Sequence, residues 1–487
     1  MRHATVPIPA PALPSAPRWL RRLAVVAAAA IVAGSAIAIS PVSTVTASAT
    51  TVHAANFPAG DIISNAVMYD SKTMSATSIQ SFLKSKGSGC KTTSSKFCLK
   101  SYKVTTANVA ANSYCTAYKG AKNETAAAII SKMSTACGVN PEVLLVTLQK
   151  EHSLVTQAAT KSTIDIAMSY GCSDASSCSA AFKGFFNQIT TASQSFKRAV
   201  TYPVGTPTPI SYGPGSTCGS QTVTIKNRAT SRLYTYTPYV PDAAVLAGHT
   251  DSCAQFGNLN FWTIFNSWFS FSVIPDATES LVTAYYTDVL GRAPSVSDVY
   301  GKSKPLLTGT STATVAKGFF SSTEGRTRYI DAEYASILHH APSSSSLATD
   351  LKQLAKGSLK LDSIAPSLYA KATYFAAIGS TNTKFVTAVY ESVLGHDPSP
   401  SALASQLAKV KKSGRSSFAK SVWTSTEHNG IRASDAYATY LPDAGTPTEK
   451  AALAASIAKN GYFTALSKLL ASAEYGTRAS STYPIDD

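Results

Sequence analysis

Charged side chains are scarce in this chain, at 14% of its residues against about 25% in an average soluble protein. Acidic residues are the rarest: 27 face 43 lysines and arginines, which leaves a formal net charge of +16. With 44% hydrophobic residues, the composition excludes a chain that its own charge keeps unfolded. At 487 residues the chain has room for two or three folded domains.

Long apolar runs are missing after residue 39, so no later segment is long and apolar enough to span a bilayer. The one candidate run, Leu23–Ile39, is short and rich in Ala. Basic residues precede it: Arg18, Arg21 and Arg22. Two following sites fit the small-x-small cleavage pattern: Ala47-Ser48-Ala49 and Val52-His53-Ala54. We predict that residues 1–54 are a signal peptide and its flank, with only transient membrane contact. An uncleaved membrane anchor is the alternative.

Cysteine is missing from the second half of the chain. All of the cysteines lie in the first half: Cys90, Cys98, Cys115, Cys137, Cys172, Cys178, Cys218 and Cys253. Their spacings contain no zinc-type CxxC pair, so we expect no metal site, and their even number favours disulfides, which agrees with export. The simplest arrangement pairs sequence neighbours (90 with 98, 115 with 137, 172 with 178, 218 with 253), although eight cysteines allow 105 connectivities.

The part that contains the cysteines, residues 55–272, is the first predicted domain, and 273–280 is a predicted linker. Beyond it the sequence repeats. Residues 281–295 match 385–399 at nine of fifteen positions, and Ser-Thr-Glu at 322–324 recurs at 425–427. Fainter copies begin at Tyr334 and Tyr437. The period of roughly 50 residues predicts four helical repeats over 281–480.

The repeated signature Tyr-x-x-Val-Leu-Gly-Arg-x-Pro, with the later Ser-Thr-Glu, resembles a repeat of bacterial secreted proteins that is distantly related to phycobilisome linker domains. The resemblance implies an all-helical module with a structural or binding use and no established chemistry. Its marked positions are most simply core and turn residues: Tyr286, Leu290, Pro294, Tyr390, Leu394 and Pro398.

Glu151 is an acid on a helix face that should be apolar. Asn140 is a good N-cap, and Pro141 suits the first helical turn. At about 100° per residue, one stripe of this helix carries Leu144, Leu148, Glu151 and Val155. Loss of solvation favours the protonated form of an acid, which is the form that a general acid needs. A structural ion pair with a Lys or Arg is the alternative.

The helix, of the form Asn-Pro-x-x-Leu-Leu-x-x-x-x-x-Glu, resembles the helix that carries the indispensable acid of the lysozyme-like superfamily, including glucosaminidases and lytic transglycosylases. Further segments are similar to an actinobacterial branch of these exported domains: residues 74–83, 168–172, 184–188, 229–239 and 260–268. The resemblance covers most of 55–272. It implies a helical domain with a small β or loop region that cleaves the N-acetylmuramic acid/N-acetylglucosamine backbone of peptidoglycan.

The resemblance also implies roles for residues. Glu151 would protonate the linking oxygen and then act as a base, while the substrate's own acetamido or 6-hydroxyl group serves as the nucleophile. Asp165 and Asp174 are the nearest candidates for a second carboxylate. Aromatic rings with polar tips suit a glycan groove, and the candidate substrate-binding residues are Tyr170, Gln188, Tyr234, Tyr236 and Tyr239. Tyr170 and Tyr236 are expected to position the substrate or stabilise charge. His152 stands where several transglycosylases have Ser, which leaves hydrolase and transglycosylase both open.

We therefore predict a mainly α protein, with a lysozyme-like, disulfide-bonded domain followed by an all-helical repeat domain. The expected function is that of a secreted or cell-wall-associated peptidoglycan glycosidase or lytic transglycosylase without cofactor or metal. A catalytically inactive wall-binding protein or adhesin is the alternative. The positive charge suits anionic wall polymers and lipid headgroups. Nucleic acid is not expected as a partner, because the sequence carries no nucleic-acid motif.

Overall fold

The computed structural model describes residues 53–172, 178–442 and 445–485. Over these residues the protein is mainly helical with a little strand, which confirms the predicted fold class. The predicted signal peptide lies, except for His53 and Ala54, outside the described residues. Within the described ranges, no helix is both long enough and apolar enough to cross a membrane.

Helices follow one another along the whole described chain. Up to residue 308 they are α1 (Asn65–Met68), α2 (Ala76–Lys86), α3 (Ala126–Cys137), α4 (Pro141–His152), α5 (Lys161–Ile164), α6 (Phe185–Ser195), α7 (Arg228–Tyr236), α8 (Ala243–Leu246), α9 (Gly257–Phe269), α10 (Asp276–Tyr285) and α11 (Val296–Leu307). A π-helical turn, Tyr286–Leu290, continues α10. Beyond residue 308 they are α12 (Thr312–Ser321), α13 (Thr323–Leu338), α14 (Ser344–Ala355), α15 (Ile364–Tyr369), α16 (Ala372–Ala377), α17 (Asn382–Leu394), α18 (Pro400–Trp423), α19 (Thr426–Tyr440), α20 (Pro447–Asn460), α21 (Tyr462–Leu469) and α22 (Ala473–Thr482).

The strands of the described residues are short, and they form antiparallel two-stranded sheets. The pairs are β1 (Lys96–Phe97) with β4 (Ala159–Thr160), β2 (Lys103–Val104) with β3 (Glu124–Thr125), and β5 (Pro207–Ser211) with β6 (Ser220–Thr224). In the β5–β6 hairpin only Ile210 and Val223 are buried. These pairs are too small to form a core, so the helices must supply it.

The chain divides into two compact units. The first unit consists of the described part of 46–279 together with 294–308, and the second unit consists of 280–293 with 309–484. The first unit therefore extends beyond the range 55–272 that the cysteines indicated. Ile274, in the predicted linker, is 1% exposed in the core of the first unit. The repeat pattern of the sequence does not predict that α11 belongs to the first unit.

Helix α4 is the centre of the first unit. Every residue from Val143 to Leu148 is fully buried, so the helix is covered on all sides. Asn140 starts it: its Oδ1 accepts a hydrogen bond from the Glu142 amide at 2.8 Å, and its Nδ2 donates to Val67 O at 2.8 Å. Ser153 ends the helix in the left-handed region at φ 54°. Its last turn therefore reaches the edge of the core.

Four disulfides connect the sequence-neighbour pairs: Cys90–Cys98, Cys115–Cys137, Cys172–Cys178 and Cys218–Cys253. They indicate an oxidising, extracellular environment. Cys172, one end of Cys172–Cys178, lies two residues after Tyr170. Cys218–Cys253 ties the end of the β5–β6 turn to the chain that enters α9.

The second unit repeats a helical pattern. The π-helical turn after α10, α13 and α17 end at equivalent left-handed residues: Gly291, His339 and Gly395. Side-chain caps then start the next helices at intervals of roughly 50 residues. They are Ser295, whose helix α11 belongs to the first unit, and Ser343, Ser399 and Thr446 in the second unit. Helix α13 begins after Ser322, at the Ser-Thr-Glu motif, and ends at the Leu-His-His turn, so one helix carries the end of one copy and the start of the next. Helix α19 does the same after Ser425.

The signature residues of the repeats occupy core and turn positions. Tyr286, Leu290 and Leu394 are buried, while Tyr390 is half-buried and stacks on Phe418. Pro294 and Pro398 follow the helix ends, where no backbone donor is needed. The signature residues of the repeat therefore serve packing and turns rather than chemistry.

Replacing Asn140 with Ala should lower the free energy of unfolding of the first unit by about 2–4 kcal/mol. The reason is that the helix cap and a buried hydrogen bond of the side-chain amide are lost together. Ser399→Ala, which removes an exposed cap of α18, should cost about 1 kcal/mol or less. Urea unfolding of each variant measures both costs. Equal costs would contradict the anchoring role of Asn140.

Candidate active site

Glu151 lies in the last turn of α4, where the predicted apolar stripe reaches the surface. Leu144 and Leu148 are fully buried, whereas the Glu151 side chain is 18% exposed. Lys150 Nζ lies 2.5 Å from Glu151 Oε1 and donates to Thr237 Oγ1 at 3.0 Å. The Lys150 side chain is 5% exposed. The ion pair that the sequence left open as an alternative is thus present, with the preceding residue as its partner.

The position of Glu151 is unfavourable for a purely structural acid. The carboxyl end of a helix carries partial negative charge, and an acid there loses about 0.3–1 kcal/mol. Glu142, in the first turn of the same helix, has the favourable arrangement. Lys150 offsets the cost at Glu151, but a neutral residue would avoid it.

Tyr236 lies near this acid, and Tyr170 lies next to Tyr236. The Tyr236 ring stacks on Phe196 at 5.1 Å, is centred 6.3 Å from the Tyr170 ring and lies 5.4 Å from Lys150 Nζ. Its hydroxyl donates to Met168 O. Burial raises the pKa of Tyr236 well above its ordinary value, and the negative charge of Glu151 adds to the effect. The structure therefore joins the acid to Tyr236 directly and to Tyr170 only through Tyr236.

Gln188 has a different role from the expected one. It is fully buried, and its Oε1 accepts from Met168 N at 3.0 Å and from Tyr170 N at 3.1 Å. Its Nε2 donates to Tyr170 O at 2.9 Å and to Phe182 O at 2.8 Å. All four hydrogen bonds of the amide are made to backbone. Gln188 thus fixes the turn that holds Tyr170, and its amide has no capacity left for a sugar.

The same turn places a hydroxyl near His152. Ser169 adopts a left-handed conformation at φ 52°, which is strained for a residue with a side chain. Its Oγ lies 3.0 Å from His152 Nε2. His152, which replaces the Ser expected after the acid, therefore reaches a serine hydroxyl from another part of the chain. Sequence spacing could not have indicated this contact.

A cavity of about 330 Å³ opens next to Tyr170 and Tyr236. We call it the arginine cavity, after two of its lining residues, Arg198 and Arg232. Arg198 is exposed and its Nη1 donates to Tyr170 OH at 3.0 Å. Arg232 is buried and donates to the backbone carbonyls of Ser195 and Ala199. The positive charge of these two lining residues suits a ligand that carries a carboxylate, and Arg198 is the exposed one of the two.

The other predicted tyrosines lie elsewhere. Tyr234 is fully buried and its hydroxyl donates to Ala59 O at 2.9 Å, so it is a core residue rather than a sugar contact. Tyr239 is half-buried, and its backbone oxygen accepts from Asn258 Nδ2 at 2.9 Å. The spacing of tyrosines and proline in the sequence could not show which tyrosines of α7 point into the core and which point outward.

The two candidate second carboxylates gain no support. Asp165 ends α5 and forms an ion pair with Lys161, one turn earlier. Asp174 lies outside the described residues. The contacts of the site thus leave Glu151 as the one acid that the structure joins to Tyr236.

The most deeply buried acid of α4 is Glu142, which the sequence did not single out. It is 4% exposed, and its Oε2 accepts from Tyr300 OH at 3.2 Å and from Asn140 Nδ2 at 3.4 Å. Burial raises the pKa of Glu142 to about 7, Asp70 adds to the rise, and Lys304 opposes it. A glutamate just after an N-terminal Pro reads as an exposed first-turn residue. The packing of α11 over it has no local signal.

Replacing Glu142 with Gln should change how stability depends on pH. Between the ordinary value near 4.3 and about 7, the folded protein binds more protons than the unfolded chain. The free energy of unfolding of the wild type should therefore fall as pH rises through this window, by up to about 1.4 kcal/mol per pH unit, and level off above it.

Chemical unfolding at pH 5 and pH 8 measures this effect, with the fluorescence of Trp262 and Trp268 reporting on the first unit. Glu142→Gln should gain stability relative to the wild type at pH 8 compared with pH 5. Glu324→Gln, at an exposed site in the second unit, should leave the difference unchanged. A wild-type pH dependence that survives in Glu142→Gln would show that another group causes it.

No protein-family model matches this chain, and no curated protein matches its sequence. The lysozyme-like resemblance therefore remains an expectation carried by the motifs of the chain. What the geometry adds is the grouping of one partly exposed acid, two tyrosines, a Ser–His contact and a cavity lined by two arginines.

Proposed function

We propose that this protein is an exported glycosidase that cleaves the N-acetylmuramic acid/N-acetylglucosamine backbone of peptidoglycan, and that Glu151 is its acid. The observation that carries the proposal is the placement of Glu151. A partly exposed carboxylate occupies the last turn of a helix whose body is buried, against the helix dipole. Its charge acts on Tyr236, and Tyr236 in turn lines the arginine cavity. This arrangement costs stability without serving the core.

The reaction would break the bond between the anomeric carbon and the linking oxygen. Glu151 would give its proton to that oxygen as the bond breaks, and the substrate's acetamido oxygen or 6-hydroxyl group would form the new bond to the carbon. Where the acetamido oxygen has formed this bond, water or the 6-hydroxyl group would next attack the anomeric carbon and break the bond to the acetamido oxygen. In each route the Glu151 carboxylate would take the proton of the attacking water or 6-hydroxyl group. Water gives a hydrolase and the 6-hydroxyl gives a transglycosylase.

The Lys150 ammonium must leave Glu151 before this reaction, because a carboxylate that holds an ammonium cannot donate a proton. Thr237 Oγ1 already accepts from Lys150 Nζ at 3.0 Å, so it can keep the ammonium when a sugar takes its place at Glu151. Glycan binding would also exclude water, which strengthens the electrostatic interactions that remain. Tyr236, held by Phe196 and Met168, would form the wall against which the sugar is placed.

The arginine cavity supports an acidic glycan as the substrate. N-acetylmuramic acid carries a lactyl group whose carboxyl end is free or continues into a peptide stem that ends in carboxylates. Arg198, exposed at the cavity and bonded to Tyr170 OH, is the residue that would bind such a group. A neutral glycan would have no group to pair with the positive charge of Arg198.

A catalytically inactive wall-binding protein is the second candidate, and the Lys150–Glu151 ion pair favours it. The pair gives the carboxylate a structural partner. If that is its whole role, removal of either member should have the same consequence. The two candidates therefore differ in what the single variants do.

Glu151→Gln should abolish cleavage of purified peptidoglycan by the mature protein, with a loss of about 100-fold or more, because general acid catalysis contributes 10²–10⁴-fold. Lys150→Met should remain active, since only the acid is needed for the proton transfer. Analysis of released muropeptides measures both, and anhydro-sugar ends or reducing ends identify transglycosylase or hydrolase.

Two results would reject the enzyme and leave the wall-binding protein. One is intact walls with both wild type and Glu151→Gln while each sediments with them. The other is an equal, small effect of Glu151→Gln and Lys150→Met on both activity and stability. Circular dichroism of each variant checks that it is folded.

Arg198→Ala should raise KM for peptidoglycan fragments about tenfold, which corresponds to about 1.4 kcal/mol, and should change kcat little. Arg292→Ala, which removes an exposed arginine of the second unit, is the matched control and should leave KM unchanged. An unchanged KM for Arg198→Ala would exclude the arginine cavity as the place where the acidic sugar binds.

A further inference from the structure

A turn over residues 168–171 holds a serine at a fixed position in the first unit. Gln188 Oε1 accepts from the amides of Met168 and Tyr170, at 3.0 and 3.1 Å, so one oxygen clamps the backbone on both sides of Ser169. The carbonyl oxygen of Met168 accepts from the hydroxyl of Tyr236. The backbone of Ser169 is therefore fixed by contacts from both α6 and α7.

Ser169 has a strained backbone that no helix end explains. Its φ of 52° lies in the left-handed region, which is unfavourable for a residue with a side chain. Ser153 and Ser270 also have positive φ, but they directly follow α4 and α9, where such a residue caps a helix. Helix α5 already ends at Ile164, so capping does not account for Ser169. Strained residues that their surroundings over-determine cluster at functional sites.

The side chain of Ser169 lies between a histidine and a cavity. Its Oγ is 3.0 Å from His152 Nε2, and it lines the arginine cavity. A neutral imidazole with its proton on Nδ1 leaves Nε2 able to accept the proton of the hydroxyl. A hydroxyl that borders an open space and is bonded to a base has the arrangement of a nucleophile.

A structural hydrogen bond between Ser169 and His152 would not require this arrangement. A serine on an unstrained backbone could form the same bond, and the bond does not need a cavity on its other side. Both residues are half-buried, so they are not core groups that must satisfy each other. The clamp of Gln188 on the strained turn points instead to the need for one exact position of the hydroxyl.

The arginine cavity indicates the class of molecule that would meet the Ser169 hydroxyl. Its volume of about 330 Å³ is that of a site for a small molecule, or for one end of a larger one. Arg198 and Arg232 give it a positive charge, and the exposed Arg198 guanidinium can bind a carboxylate. These features favour a substrate that carries a negative charge.

We propose that Ser169 and His152 are the nucleophile and the base of a site that hydrolyses an ester carrying a negative charge. Ser169 Oγ would bond to the carbonyl carbon while His152 Nε2 takes its proton. His152 would then give this proton to the alcohol oxygen as the bond between that oxygen and the carbonyl carbon breaks, which leaves an acyl-serine. Water would attack the acyl carbon and lose a proton to His152, and Ser169 Oγ would recover the proton as the free acid leaves.

The inference is independent of the proposed glycosidase activity, because its test contains no glycan. The mature, full-length protein is incubated with 4-acetoxybenzoate, and with the methyl ester of 4-acetoxybenzoate as the matched neutral probe. Absorbance of the released phenol measures hydrolysis. We expect kcat/KM to be about tenfold or more higher for the probe with the carboxylate, because a charge-assisted hydrogen bond to an arginine is lost with the neutral one.

Variants locate the activity. Ser169→Gly removes the hydroxyl at a position whose positive φ suits glycine, so this variant should fold. Ser169→Gly and His152→Gln should each lower kcat/KM for 4-acetoxybenzoate by about 100-fold or more, since the nucleophile or its base is lost. Ser270→Ala, which removes the exposed hydroxyl of another serine with positive φ in the same unit, should leave it unchanged.

Covalent labelling separates a nucleophile from a structural serine. Phenylmethylsulfonyl fluoride reacts with activated serine hydroxyls, and mass spectrometry of the digested protein should find the sulfonyl group on Ser169 of the wild type and not of His152→Gln. The proposal is overturned if neither ester is hydrolysed, if Ser169 is not labelled, or if folded Ser169→Gly hydrolyses 4-acetoxybenzoate like the wild type. Equal rates for the two esters would overturn the assignment of a negatively charged substrate.

Discussion

The amide of Asn140 holds the first unit together at the start of its central helix. It satisfies the Glu142 amide and Val67 O and accepts from Thr73 Oγ1 at 2.6 Å, and Asn140 itself is fully buried. These bonds set where α4 begins, and its covered length then sets where it ends. The middle of α4 is fully buried, so the helix reaches the edge of the core only at its last turn. That turn carries Lys150, Glu151 and His152. The position of the candidate acid is thus a consequence of an amide about 17 Å away along the helix, at 1.5 Å per residue.

Both ends of this helix place an acid where an uncharged residue would be more stable, and the two cases differ. Glu142 is covered by α11 and donors contact its oxygens, which makes it a buried group without access to a ligand. Glu151 is partly exposed and acts on Tyr236, which lines the arginine cavity. A shifted pKa alone would have selected Glu142 as the functional acid. Access to solvent and to neighbouring recognition groups selects Glu151 instead.

Much of the architecture could be predicted from local pattern. Asn140 and Pro141 marked the start of α4 correctly, but the predicted stripe continued to Val155, whereas the helix ends at His152. The repeat signature marked helix ends that the structure has at Gly291 and Gly395. Contacts between distant segments could not be predicted. Gln188 was placed among substrate contacts because a motif contains it, but its amide is used by the backbone of a turn 18 to 20 residues earlier. Likewise, nothing local to α4 indicates that α11 covers Glu142.

The helices α13 and α19 each close one copy of the repeat and open the next. A single copy therefore cannot be cut out without leaving half of a shared helix behind. The smallest portable piece is a pair of copies, and the strongest internal match, between 281–295 and 385–399, joins positions two copies apart. Growth of this region by gene duplication would proceed in pairs.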